Sequence, residues 1–248
     1  MHLSHRCFAI TGLGYLPPWT VNAGFITGDE TTLIVDTGAN AAAASTIHGY
    51  ASIARPSNRL RVLDTERHFD HVGGNAYFRE RGIDVYGHAS IQRTGDEFGA
   101  EMSEYNAEIS NTARRSRQES KVFYHETRLA NPNCPISADL RMDLGGCEVE
   151  ILLTPGHTPS NLSVYVPSDG VLFCGDCLVN GYLPNLDAGS VGDWRIWLES
   201  LDRLAGLSAR VIVPGHGPVA KGDEVPRLIE SVSQVLRRSI EAGRSPTS

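Results

Sequence analysis

Apolar residues in this chain come in short runs separated by turn residues, with two longer stretches at helical spacing. Cys7–Ile10, Gly24–Thr27 and Thr31–Asp36 read as strands, and Gly28-Asp29-Glu30 between the last two predicts a hairpin. Ala41–Ala54 has helical composition and is stopped by Pro56 and Asn58. Leu60–Leu63 then reads as a buried strand, followed by a helix through Tyr77 to Arg81 capped by Asn75, and a short strand at Ile83–Tyr86. From His88 to Lys121 the chain is polar with few breakers, and Asn131–Pro135 is a loop. Residues 88–135 therefore predict a helical insertion, either shaping a pocket or lying as a packed surface helix.

The second half repeats this grammar. Met142–Leu144 with Val149–Leu153, and Leu162–Val166 with Val171–Phe173, predict two hairpins. A helix around Trp194–Leu204 leads to a strand at Val211–Val213, and Asp223–Ala242 closes the chain with apolar positions at helical spacing. Ser245–Ser248 is expected to fray. Two strand-rich halves without an interdomain linker predict an α/β fold: two mixed sheets face to face, helices outside, one domain over residues 1–248.

Composition narrows the class without naming a chemistry. In 248 residues, 41% are hydrophobic and 21% charged, ample for a core. The net charge of −7 gives no support to nucleic-acid binding, and Arg114-Arg115-Ser116-Arg117 reads as a solvated helix face. No apolar run reaches membrane-spanning length and the N-terminus lacks a signal-peptide core, so a cytoplasmic protein is expected. Five cysteines, an odd number at low density, read as reduced thiols.

The chemistry concentrates at strand ends. Glu66-Arg67-His68-Phe69-Asp70-His71 places four metal-capable side chains in six residues, and Gly73-Gly74 turns the backbone away. His157, Asp176 and His216 each follow a further strand-like run. Strand ends at one edge of a sandwich converge, so the seven residues can share a cavity. Seven ligands suit two four-coordinate metals when one carboxylate and a water bridge them.

Glu66-x-His68-x-Asp70-His71, Thr154-Pro155-Gly156-His157-Thr158-Pro159, Gly175-Asp176 and Pro214-Gly215-His216-Gly217 together resemble the ordered motifs of the metallo-β-lactamase-fold hydrolase superfamily. The resemblance runs from the early hairpin with Asp36 to His216 and implies an αββα sandwich with a dinuclear site between the sheets. It implies that Glu66, His68 and His157 hold one metal, that Asp70, His71 and His216 hold the other, and that Asp176 bridges. Asp70 and Asp176 are then the catalytic carboxylates. The implied reaction is hydrolysis of a small ester, lactone, thioester or amide by a metal-bound hydroxide, with two zinc ions as cofactor. The family has His where this chain has Glu66; the harder oxygen donor favours iron or manganese more than an all-His site would, or leaves the first site empty. A diiron oxygen-handling enzyme and a mononuclear relative are therefore alternatives.

β-Lactam hydrolysis is another. Cys177 and the stretches Leu178-Val179-Asn180 and Pro184-Asn185-Leu186 resemble the part of the main zinc β-lactamase subclass that carries a Cys ligand and binds substrate. Asn180 stands where the carboxylate-binding Lys would be, and Cys177 reads either as a buried thiol or as a ligand. Asn185 and Tyr182 are candidate substrate contacts, while Trp194 and Trp197 at helical spacing predict helix packing. His2, His5, His48, His88 and His125 lie outside the motifs. A small-molecule partner is expected, with oligomeric state open.

Overall fold

A computed structural model describes residues 1–14, 20–112, 123–124, 126–186 and 189–246. Among them the strands form two mixed sheets of six. The first runs in the order β1 (Cys7–Leu13), β2 (Val21–Thr27), β3 (Thr31–Val35), β4 (Arg59–Leu63), β5 (Asp84–His88), β6 (Cys134–Ile136). It is antiparallel from β1 to β3 and parallel from β3 to β6. The second comprises β7 (Leu140–Asp143), β8 (Glu148–Leu153), β9 (Leu162–Val166), β10 (Val171–Phe173), β11 (Val211–Val213) and β12 (Ala220–Lys221), neighbours in that order. Only β10 and β11 in it run parallel. The helices are α1 (Ala41–Ala54), α2 (Phe69–Val72), α3 (Asn75–Arg79), α4 (Gly95–Thr112), α5 (Val191–Ala205) and α6 (Glu224–Ala242).

The period-two pattern sorts side chains into three layers. Ile26, Leu33, Val35 and Leu63 of the first sheet meet Val149, Ile151, Val164, Val166 and Phe173 of the second. On the outer face of the first sheet, Phe25, Ile34, Val62 and Val85 pack under Ala44, Ile47 and Ala51 of α1 and Phe78 of α3. On the outer face of the second, Leu152, Tyr165, Leu172 and Ile212 pack under Trp194, Trp197 and Leu201 of α5 and Leu228, Val232 and Leu236 of α6. This is the αββα sandwich the alternation predicts. Gly24 of β2 permits a close approach of the sheets, since a Cβ there would overlap the Phe173 ring.

Local signals hold the helices in place. Asn40 caps α1 by accepting from Ala43 N–H at 2.8 Å, and Ser190 with Asp193 forms a capping box on α5. Three expectations differ. Asn75 is the first residue of α3 rather than its cap: its amide donates to buried Asp64 at 2.7 Å and accepts from Thr37 at 3.0 Å. The loop expected over Asn131–Pro135 ends in β6, where Pro135 is tolerated because the strand is at the sheet edge. The third strand stops at Val35, because Asp36 turns into the left-handed region at φ +64°. Arg114–Arg117 and His125 lie outside the described residues. No described helix is long and apolar enough to cross a membrane.

Candidate metal centre

Four strands deliver the candidate ligands. β4 of the first sheet runs into Glu66, His68, Asp70 and His71, while β8, β10 and β11 of the second run into His157, Asp176 and His216. The two sheets are joined beneath the site, where Leu162 N–H donates to the Thr65 carbonyl at 2.7 Å. All seven predicted residues come together. Their donor atoms form three overlapping groups that could hold a metal ion: Glu66–His68–His157, Asp70–His71–His216 and Glu66–His71–Asp176.

The imidazoles are oriented from behind. His71 Nδ1 lies 2.9 Å from Asp36 Oδ2, His216 Nδ1 lies 2.7 Å from the Thr20 carbonyl, and His157 Nδ1 lies 3.2 Å from the Asn185 carbonyl. These oxygens only accept, so each ring carries a proton on Nδ1 and turns Nε2 inward, where it can serve a cation. His216 Nε2 then sits 3.1 Å from Asp70 Oδ2 and 3.3 Å from Asp176 Oδ2, and His71 Nε2 sits 3.3 Å from Asp176 Oδ1 and 3.4 Å from Glu66 Oε1. His68 instead offers Nδ1, 3.0 Å from Glu66 Oε2 and 3.1 Å from His157 Nε2.

Buried donor atoms test whether a cation fits. Both oxygens of Glu66, His71 Nε2 and Asp176 Oδ1 are shielded from solvent, and their close polar neighbours are other candidate ligands, at 3.0–3.4 Å. Burying carboxylates and imidazoles against one another is costly, and a dication satisfies these donor atoms together. The titration behaviour has the same sense. Burial pushes His216 down, but Asp176 and Asp70 outweigh it and carry it up to about 11. Burial likewise opposes, and Glu66 overcomes, in raising His68 to about 9. Against its own burial, Asp70 is drawn down to about 2 by His71 and His216. The cluster attracts positive charge strongly. Oxygen and nitrogen donors in this proportion suit zinc, iron or manganese.

Several residues outside the seven support the cluster. Asp36 accepts from Thr65 N–H at 2.7 Å and Thr65 Oγ1 at 2.8 Å besides contacting His71. Asn22 holds the His216 turn, donating from its amide to the carbonyls of Pro214 (2.9 Å) and Gly217 (2.8 Å). Arg93, 3% exposed, donates to the Arg67 carbonyl at 3.1 Å and pairs with Glu101 of α4 at 2.8 Å. Phe69, lying between His68 and Asp70, packs on Phe98, Tyr105 and Tyr124. An acid directly after an apolar strand was a usable signal for Asp36; Asn22 and Arg93 carried none.

A cavity of about 280 Å³ opens over the cluster. His68, Asp70, His157, Asp176 and His216 form its polar floor, with Val179, Tyr182, Leu183, Asn185 and Tyr105 around them. Tyr182 and Asn185, the candidate substrate contacts, thus lie on the cavity wall. Asn180 does not line the cavity; its amide donates to the Pro218 carbonyl at 2.8 Å. The Cys177 thiol is fully buried, pushed up to about 12 by that burial, and belongs to none of the three groups. Trp197 packs in the core with its indole N–H donating to the Cys177 carbonyl at 2.9 Å.

The sequence profile of the metallo-beta-lactamase superfamily matches residues 16–216. The chain belongs to that superfamily. It is 22% identical over 249 residues to the metallo-beta-lactamase type 2 of Bacteroides fragilis, covering 98% of this chain and 87% of that one. It is 28% identical over 204 residues to the probable metallo-hydrolase YqgX of Bacillus subtilis, covering 81% and 87%. Among solved structures, the metallo-beta-lactamase FIM-1 from Pseudomonas aeruginosa in its mono-zinc form superposes with a TM-score of 0.70. That match has 20% identity and covers 96% of this chain and 94% of the other, a likeness of fold.

Proposed function

We propose that this chain is a dinuclear metal-dependent hydrolase of a small, uncharged acyl compound: an ester, lactone, thioester or amide. The observation that carries the reading is the set of buried donor atoms of Glu66, His71 and Asp176, which converge on one another directly beneath an open cavity. Glu66, His68 and His157 would hold one cation, Asp70, His71 and His216 the second, and Asp176 would bridge them. Zinc is the first choice, iron or manganese the alternative, since three carboxylates harden the donor set. When bound, such dications supply Lewis acidity and bring the pKa of water to about 7.

The chain's own groups do the rest. Asp70 and Asp176, the two carboxylates on the cavity floor, orient the attacking water and take up its proton. Val179 and Leu183 offer an apolar wall for the acyl or alcohol part. No Lys or Arg lines the cavity among the described residues, so a carboxylate on the substrate finds no counter-charge there. With the Asn180 amide committed to Pro218, β-lactams, whose ring carboxylate needs such a partner, are disfavoured.

A panel of zinc-loaded assays on p-nitrophenyl esters, lactones, acyl thioesters and nitrocefin tests this reading. Ester or lactone turnover well above nitrocefin turnover, lost in Asp176→Ala, is expected. Preference for nitrocefin, or no hydrolysis of any member, would refute it. Visible absorption from two bound irons would favour oxygen-handling chemistry instead.

A further inference from the structure

Among the described residues that line the cavity, one belongs to neither sheet nor to the strand-end loops. Tyr105 projects from α4, the helix between β5 and β6, and lines the cavity with His68, Asp70, His157, Asp176 and His216. Its ring rests 5.7 Å, centre to centre, from Phe69, which is held in turn by Phe98 and Tyr124. Because Phe69 lies between His68 and Asp70, α4 fixes the phenol relative to the candidate ligands themselves. Arg93 ties the start of the same helical segment to the Arg67 carbonyl and to Glu101, one helical turn before Tyr105. The phenol is thus placed by its ring contact with Phe69 and by the anchoring of its helix, as a group acting on a reacting atom must be.

Its chemistry differs from that of its neighbours. Asp70 and Asp176 present acceptors, and the inward Nε2 atoms of His157 and His216, whose Nδ1 atoms are engaged by backbone carbonyls, are turned to the candidate cations. Val179 and Leu183 are apolar, and Tyr182, 37% exposed, stands at the rim. Tyr105 is less exposed than Tyr182, and its phenol supplies an O–H donor. An acyl compound bound on this floor therefore has the Tyr105 phenol on its α4 side.

We propose that the Tyr105 hydroxyl donates a hydrogen bond to the acyl oxygen of the substrate as that oxygen gains negative charge, making Tyr105 a further catalytic residue. The proposal rests on the hydrolase reading above. In that reaction a water oxygen bonds to the acyl carbon while the bond to the leaving group breaks. The leaving group departs with one proton from water, and the Tyr105 proton stays on its own oxygen. Donation to the developing charge lowers the barrier more than it tightens substrate binding, so the effect belongs in kcat.

Tyr105→Phe keeps the ring on Phe69 and removes only the hydroxyl. With metal content and Tm equal to the parent, kcat on the best ester is expected to fall on the order of 100-fold while KM changes less than threefold. A second readout needs no turnover: calorimetric titration with a phosphonate ester analogue, whose oxyanion imitates the charged acyl oxygen, should show Kd weakened at least tenfold. Either kcat within threefold of the parent or a phosphonate Kd within threefold overturns the proposal. If the parent hydrolyses nothing in the panel, the hydrolase reading fails, and the phosphonate titration still decides whether Tyr105 is an oxyanion donor.

Discussion

Asp36→Asn isolates what the carboxylate behind His71 contributes. The carboxylate accepts three hydrogen bonds, from Thr65 N–H, Thr65 Oγ1 and His71 Nδ1, at 2.7–2.9 Å, and is 2% exposed. Asparagine has the same shape and tolerates φ +64°, so the backbone is not the variable. If the amide oxygen stays on Thr65 N–H, its NH₂ faces His71 Nδ1, and the ring must move its proton to Nε2. The inward lone pair is then lost. If the amide turns over, His71 keeps its tautomer but the NH₂ meets the Thr65 N–H, a buried donor–donor contact costing about 1–3 kcal/mol. Either way the group Asp70–His71–His216 should lose about 10- to 100-fold in metal affinity, or about 1.4–2.7 kcal/mol. Competition of a chromophoric chelator against zinc-loaded protein reads the two affinities separately. The expected outcome is one weakened equivalent and one, at Glu66–His68–His157, changed much less. Both affinities within twofold of the parent would refute the idea that Asp36 sets the His71 tautomer.

Two further substitutions probe the frame. A Cβ at Gly215 would overlap the Asp176 carboxylate and press on the Gly175 carbonyl carbon at 2.7 Å, so Gly215→Ala should displace Asp176. Elemental analysis should find at least one metal equivalent lost with far-ultraviolet dichroism unchanged; full metal content would contradict the packing. Phe173, buried between the sheets against Gly24, should cost about 3–5 kcal/mol when replaced by Ala, read as a lowered urea midpoint; a cost below about 1 kcal/mol would mean the sheets do not interlock there.

Much of the architecture was legible because alternation carries burial directly. Leu33 and Val35 face one layer and Ile34 the other, as a strand requires. The seven candidate ligands were legible because each directly follows an apolar run, and strand ends at one sheet edge meet. What escaped depends on contacts between distant segments. Asn75 looked like a helix cap because capping preferences are local, whereas buried Asp64, eleven residues earlier, holds its amide. β6 was hidden by Pro135, which ordinarily argues against a strand and is accommodated only at an edge. Tyr105 sits in a polar helix with no spacing signal, and only the docking of α4 on Phe69 brings it to the cavity.

Metal stoichiometry is the most direct test of the site. Protein equilibrated with excess zinc and dialysed against metal-free buffer should retain two equivalents per chain by elemental analysis, and Asp176→Ala should retain one or fewer. Parent protein that retains none, or an Asp176→Ala variant that still holds two, would contradict a bridged pair of cations among these seven residues.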